Sequence, residues 1–181
     1  IGAGEEINII NNIIDDNSSG CRCGGIGLIP HETTKLNLIN NTITRNITNE
    51  EGGGIWFLTE ADNSQSDFYN NIIWSNTAET GSDLFIKNDA DGNYILSNVN
   101  LFNNDFDQSP TGTYIQIPFT IDSSNLNNVD PLFVDPANDD YHLSDGSPCI
   151  NAGNDGAPEL PTTDKDGNPR IVGSAVDIGA Y

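Results

Sequence analysis

The densest run of oxygen ligands in the sequence is Asp164-Lys165-Asp166-Gly167-Asn168. Alternating acidic and amide side chains ahead of a turn glycine match the opening of a calcium loop, because a hard cation collects oxygens from alternate positions. The run offers Asp164, Asp166 and Asn168 as metal ligands but lacks the later acid and the flanking helices of a helix-loop-helix site. The same residues also suit a tight turn whose aspartates cap backbone groups, with Arg170 paired to Asp177 or a neighbouring acid. Calcium is the one cofactor the sequence suggests. His31 follows Pro30, and His142 stands between Tyr141 and Leu143. A general base needs a positioned partner, and both histidines read as surface or packing residues, so no catalytic residue is assigned. Cys21, Cys23 and Cys149 are too few for a disulfide framework or a four-ligand zinc site. Cys149 reads as a small buried residue, whereas Cys21-Arg22-Cys23 leaves open a soft metal or a strained disulfide. Acid pairs for glycoside hydrolysis can be drawn from Asp15, Asp16, Asp105 and Asp107, but in so acidic a chain such pairs carry almost no specificity. Nucleophile motifs, phosphate loops and dinucleotide fingerprints are absent. GGIGLI at 24–29 lacks the helix that a phosphate-binding glycine loop opens.

The chain has 181 residues, with 27 Asp and Glu against six Lys and Arg, for a net charge of −21. Such a surface repels polyanions, which argues against nucleic acid or an anionic membrane as partner. No run of 18 apolar residues is present, so no membrane insertion is expected. Ile1 opens directly into patterned sequence without a signal peptide, which reads as a mature product or an excised fragment with further sequence upstream. Acidity, richness in Asn, Gly, Ser and Thr, and the lack of Met point to an extracellular or cell-surface location. The triplets Asn17-Ser18-Ser19, Asn40-Asn41-Thr42 and Asn46-Ile47-Thr48 fit a glycosylation acceptor, as chance allows in an Asn-rich chain.

Self-comparison identifies the elements that would position these groups. INIINNIIDDN at 7–17 matches LNLINNTITRN at 36–46, an offset of 29 that superposes Asn8 on Asn37, Asn11 on Asn40, Asn12 on Asn41 and Asn17 on Asn46. DFYNNIIWSN at 67–76 follows at an offset of 30, and ILSNVNLFN at 95–103 at 27. In a second register, Ile26, Ile55, Leu84 and Thr113 recur every 29 residues, as do Leu28, Phe57, Ile86 and Ile115. Alternation of period two within each run marks strands with one buried face, and recurrence at a fixed interval places those faces in one core. Propellers and sandwiches need reversing hairpins within each repeat, and the turns here fall differently. The expected fold is all-β, a right-handed single-stranded parallel β-helix with coils of about 29 residues over 1–128 and a loop-rich capping segment over 129–181. Asn12, Asn41, Asn71 and Asn98 are expected to stack at one corner, about 4.8 Å apart, since Asn side chains bond to each other and tolerate left-handed backbone.

Charge supports the register. At the offset of 29, Glu6 meets Lys35, Asp16 meets Arg45 and Arg22 meets Glu51, exposed pairs worth on the order of 0.2–1 kcal/mol each. Two further cations lie in the capping segment, which leaves Lys87 alone. If the second register points inward, the residues between point out: Gly27, Trp56, Phe85 and Tyr114. Trp56, Phe85 and Tyr114 then form an aromatic row suited to sugar rings or a protein partner, unless residues 59–66, 88–93 or the terminal segment fold over it.

After Leu126 turn residues dominate. The order DPLFVDP, DYHLSDGSPCINAG, DKDGNPRI, VDIGAY resembles the C-terminal signature of secreted bacterial and archaeal right-handed β-helix proteins, described as pectin-lyase-like or choice-of-anchor surface proteins. The resemblance is close over 129–181 and looser over the coils. It implies surface display, adhesion or polysaccharide interaction, and it implies an anchoring segment that is not seen after Tyr181. An open last coil needs covering, and Phe133, Leu143, Ile150, Ile171 and Ile178 are the expected plugs. Three functions remain open: a non-catalytic module that binds a polysaccharide or surface protein, the end of a polysaccharide lyase or epimerase whose catalytic coils lie upstream, and a self-associating stalk or filament subunit.

Overall fold

The computed structural model describes residues 5–30, 34–59, 65–88, 98–116, 119 and 121–181. The chain is a parallel β-solenoid. Its first coil carries β1 (Glu6–Ile10), β2 (Ile13–Asp15), β3 (Ser18–Ser19) and β4 (Ile26–Leu28). Its second carries β5 (Lys35–Ile39), β6 (Thr42–Thr44), β7 (Ile47–Thr48) and β8 (Ile55–Thr59). The third contributes β9 (Gln65–Tyr69), β10 (Ile72–Trp74) and β11 (Leu84–Asn88), the fourth β12 (Asn98–Phe102), β13 (Asp105–Phe106) and β14 (Thr113–Ile115), and β15 (Leu126–Asn127) follows. Like strands stack into the sheets β1-β5-β9-β12, β2-β6-β10-β13-β15 and β4-β8-β11-β14, every pair parallel. Among the described residues no helix is long and apolar enough to cross a membrane.

The register read from the sequence holds in the third sheet, where Ile26, Ile55, Leu84 and Thr113 are successive partners. Alternate residues fill the interior: Ile55, Phe57, Phe68, Ile73, Leu84, Ile86 and Phe106 are fully buried in one core. Phe57 and Phe68 meet edge to face at 5.9 Å, a favoured arrangement of aromatic quadrupoles.

Between strands the backbone turns through left-handed residues. Asn11, Asn40, Asn70 and Asn103 hold φ of 57°, 53°, 58° and 53°, and Asp16, Arg45 and Ser75 repeat this at the next corner. Each of the first set is followed by an Asn that points inward. Asn12, Asn41, Asn71 and Asn104 donate through Nδ2 to Oδ1 of the next coil's Asn at 3.1, 2.9, 2.8 and 3.1 Å, the last acceptor being Asn125. Each acceptor also takes the backbone N–H of the Asn before it. The ladder corrects one expectation: Asn104, not Asn98, is the fourth member. β12 pairs with β9 at a step of 33, with Asn98 opposite Gln65, because the connection between β11 and β12 is longer. A second ladder runs Asn17–Asn46–Asn76 and ends on the Asp83 carboxylate at 2.9 Å.

The C-terminal residues do not plug the last coil. They form a strap along the solenoid's flank, on the outer face of β6, β10 and β13. The outward-turned Asn side chains hold it: Asn11 donates to the Thr163 carbonyl, Asn40 to those of Asp177 and Gly179, Asn70 to Asn154 and Asn103 to Ala152. Ile72, Cys149 and Ile178 are buried together between strap and coils, with Phe133, Leu143 and Trp74 against them. Of the expected plugs, Phe133, Leu143 and Ile178 therefore face the flank, Ile150 is partly buried and Ile171 is 44% exposed. The strap begins with an antiparallel hairpin, β16 (Phe133–Asp135) and β17 (Asp140–Leu143), joined by a 3₁₀ turn over Pro136–Asn138.

Asn71 serves four bonds in the buried interior: it accepts from Asn41 twice and donates to Leu38 and Asn104. Asn71→Ala strands those partners and should cost about 2–4 kcal/mol in urea unfolding, since each buried polar group left unpaired loses its desolvation energy. Asn12→Ala, at an exposed position whose amide partly bonds its own strand through Ile10, should cost below about 1 kcal/mol.

Candidate functional site

The aromatic row lies on the outer face of β8, β11 and β14, where Trp56 pairs with Phe85 and Phe85 with Tyr114. The Phe85 and Tyr114 rings stack at 4.9 Å and 12°. Since they sit in register on neighbouring strands, the stack runs along the solenoid axis and turns ring edges outward. Phe85 is 2% exposed and offers no surface, whereas Tyr114 is 38% exposed and Trp56 partly so. This corrects the expectation of three exposed rings. The strap runs along a different flank and does not cover the row; residues 60–64 and 89–97, which include most of the other segments considered as covers, lie outside the described residues.

The row is built by an exchange of volume between two columns. Cys23, Gly52 and Gly81 occupy equivalent left-handed corners with φ of 67°, 72° and 63°. A Cβ on Gly52 would stand 2.6 Å from the Trp56 Cβ, and one on Gly81 3.0 Å from that of Phe85. In the first coil the columns trade places: Gly27 holds the row position, and the Cys23 sulfur lies 3.1 Å from where its Cβ would be. Arg22 closes this end, 6.0 Å above the Trp56 ring and 3.2 Å from Glu51, which also accepts from the Trp56 indole N–H at 3.4 Å. Lys87 lies two residues beyond Phe85 on the same face, opposite Leu58.

The other expected ion pairs are formed with one change. Lys35 lies 3.3 Å from Glu6. Arg45 binds Asp15 rather than Asp16, through Nε at 2.8 Å and Nη2 at 2.6 Å. The strap draws it there, for the guanidinium also donates to the Pro136 carbonyl, approaches Asp139 and lies 5.5 Å from the Tyr141 ring centre. Burial opposes ionisation of Asp15, but the Arg45 bonds outweigh it and hold the carboxyl below its ordinary range.

Asp164, Asp166 and Asn168 are bonded to groups of the protein itself. Asp164 Oδ1 accepts the N–H groups of Asp166 and Asn168, both at 2.9 Å, and Oδ2 accepts the Asn168 amide. Asp166 turns to His142 Nε2 at 3.0 Å. Asp164 thus caps the turn, and Asp166 ties it to His142. Arg170, expected to pair with Asp177 or a neighbouring acid, instead donates to the Tyr181 carbonyl and to Asn11. His142, also bonded to Asp140 at 2.6 Å and stacked on Tyr181 at 3.9 Å, ties the hairpin to this turn. Partial burial lowers its pKa, but the two carboxylates prevail and raise it. His31 lies outside the described residues. Cys21, Cys23 and Cys149 are free thiols, and among the described residues no group of three His, Cys, Asp or Glu side chains gathers as a metal site.

One functional group escaped the sequence reading except as a member of an unspecific acid pair. Asp105 is completely buried, in the column Ile13, Thr42, Ile72, Asp105, Leu126 on the face beneath the strap. A single acid among neutral residues in that column is the signal that could have found it.

Because Asp164 stabilises its turn through backbone bonds, Asp164→Ala should lower the melting temperature by an amount equivalent to about 1 kcal/mol, by the same amount with added calcium and with chelator. Compared with known proteins, the chain matches no family model, no curated protein and no solved structure at a significant level.

Proposed function

We propose that this chain is a non-catalytic extracellular or cell-surface module that binds a glycan or a protein surface through the outer face of β8, β11 and β14. The reading rests on the in-register row Trp56–Phe85–Tyr114, whose terminal ring, Tyr114, has surface to offer. Aromatic side chains supply large contact area with little rotamer entropy to lose, and a carbohydrate stacks its apolar C–H face on them. Lys87 beside the row supplies a donor for sugar hydroxyls, and Arg22 with Glu50 and Glu51 rims the opposite end. The resemblance of residues 129–181 to choice-of-anchor surface proteins supports surface display. A lyase or epimerase would need unpaired cations beside a positioned base; Arg22, Lys35 and Arg45 are instead engaged by carboxylates.

The test is a glycan array followed by calorimetry on the best ligand. Tyr114→Ala and Trp56→Ala should each weaken binding about tenfold, the loss of one hydrophobic anchor, while Phe85→Leu should change stability more than affinity. Affinity indifferent to both Tyr114→Ala and Trp56→Ala would remove the row as the binding surface.

A further inference from the structure

Asp105 sits where the strap leaves the solenoid. Its neighbours in the column are Ile72 and Leu126, with Thr42 beyond Ile72, and Ile72 and Leu126 pack with Cys149 of the strap. One carboxyl oxygen accepts the N–H of Val129, the first strap residue, at 3.1 Å; the other is buried with no hydrogen-bond partner. The groups facing it are acidic or neutral: Asp83 from the corner before β11, and Asp130 and Cys149 from the strap. Among the described residues no Lys, Arg or His forms an ion pair with it. An ionised carboxylate in this setting has lost water and gained one donor, whereas the neutral acid leaves no charge unsolvated.

We propose that the strap is a proton-linked cover of the solenoid's flank, docked while Asp105 is neutral and loosened when Asp105 ionises. Burial first, with the charges of Asp83 and Asp130 adding to it and the Val129 bond opposing, pushes the Asp105 pKa up to about 7. Released into water it would return to about 3.9. The docked form therefore binds more protons between these values. Docking is strongest below the lower value and weakens until pH passes the upper one. Loosening would uncover Ile72, Trp74 and the outward amides of Asn40, Asn70 and Asn103, a surface otherwise occupied by the strap backbone. Cys149, whose thiol is pushed up to about 12 by burial and by Asp105, stays neutral while the strap is docked.

Hydrogen exchange of the full chain, corrected for the intrinsic pH dependence, tests this at pH 5.5 and 8.5. Strap amides in 129–160 should lose about 30-fold in protection between the two, the shift expected for a carboxyl moving from about 3.9 to about 7. Coil amides in 35–48 should stay level. In Asp105→Asn, and independently in Asp105→Thr, which copies the neutral residue at position 42, the strap should change less than threefold. His142→Gln is the control for the other raised group in the strap and should keep most of the loss. Constant strap protection in the wild type, a 30-fold loss persisting in either Asp105 variant, or a loss abolished by His142→Gln alone would overturn the proposal.

Discussion

The fold depends on how each coil turns its corner. A left-handed residue is required there, which costs most side chains on the order of 1 kcal/mol, and the polar backbone exposed by the turn must be paired inside the structure. Consecutive asparagines meet both demands. The first tolerates the left-handed corner and points out; the second points in and bonds backbone and amide of neighbouring coils. An interior polar ladder is stable only when every member is satisfied, and this one succeeds because each inner amide accepts from the coil before it and donates to the coils on both sides. Strand stacking and the apolar core follow from the alignment so imposed.

The same pair of asparagines explains the strap. Had both turned inward, the flank would lose its row of amide donors. As it is, Asn11, Asn40, Asn70 and Asn103 present amides to a segment rich in Asp, Asn, Gly and Pro that has little regular structure of its own. Residues within the strap complete the fabric: Asn151 Oδ1 accepts the N–H groups of Ser174 and Ala175, Asp177 accepts that of Asn151, and Asp155 that of Val176. These side chains therefore act as backbone acceptors that shape irregular chain, and Arg45 fastens the hairpin from the second coil.

Much of this was legible in the sequence where spacing is constant. The 29-residue step carries Ile26, Ile55 and Leu84 into register without insertion, and the Glu6–Lys35 and Arg22–Glu51 pairs follow from it. Legibility failed where length changes: the longer connection before β12 made Asn98 mimic a ladder residue whose place belongs to Asn104. It failed again where tertiary contacts redirect a side chain, as when strap carbonyls pull Arg45 toward Asp15. The strap's position was unreadable for a third reason, because the need to cover an open end suggested a plug, while the outward half of the Asn pairs gave no hydrophobic signal. Outward alternation alone could not reveal that Phe85 is buried.

A solenoid stabilised only between neighbouring coils can gain or lose a repeat with little penalty, since each added coil brings its own interface. The strap removes that freedom. It touches Asn11 of the first coil and Asn103 of the fourth within one continuous segment, so its length measures the stack. Duplicating a coil would separate those anchors by a further strand spacing, about 4.8 Å, and leave part of the segment without amides to meet. The C-terminal segment thus acts as a gauge that penalises drift in repeat number and couples distant coils into one cooperative unit.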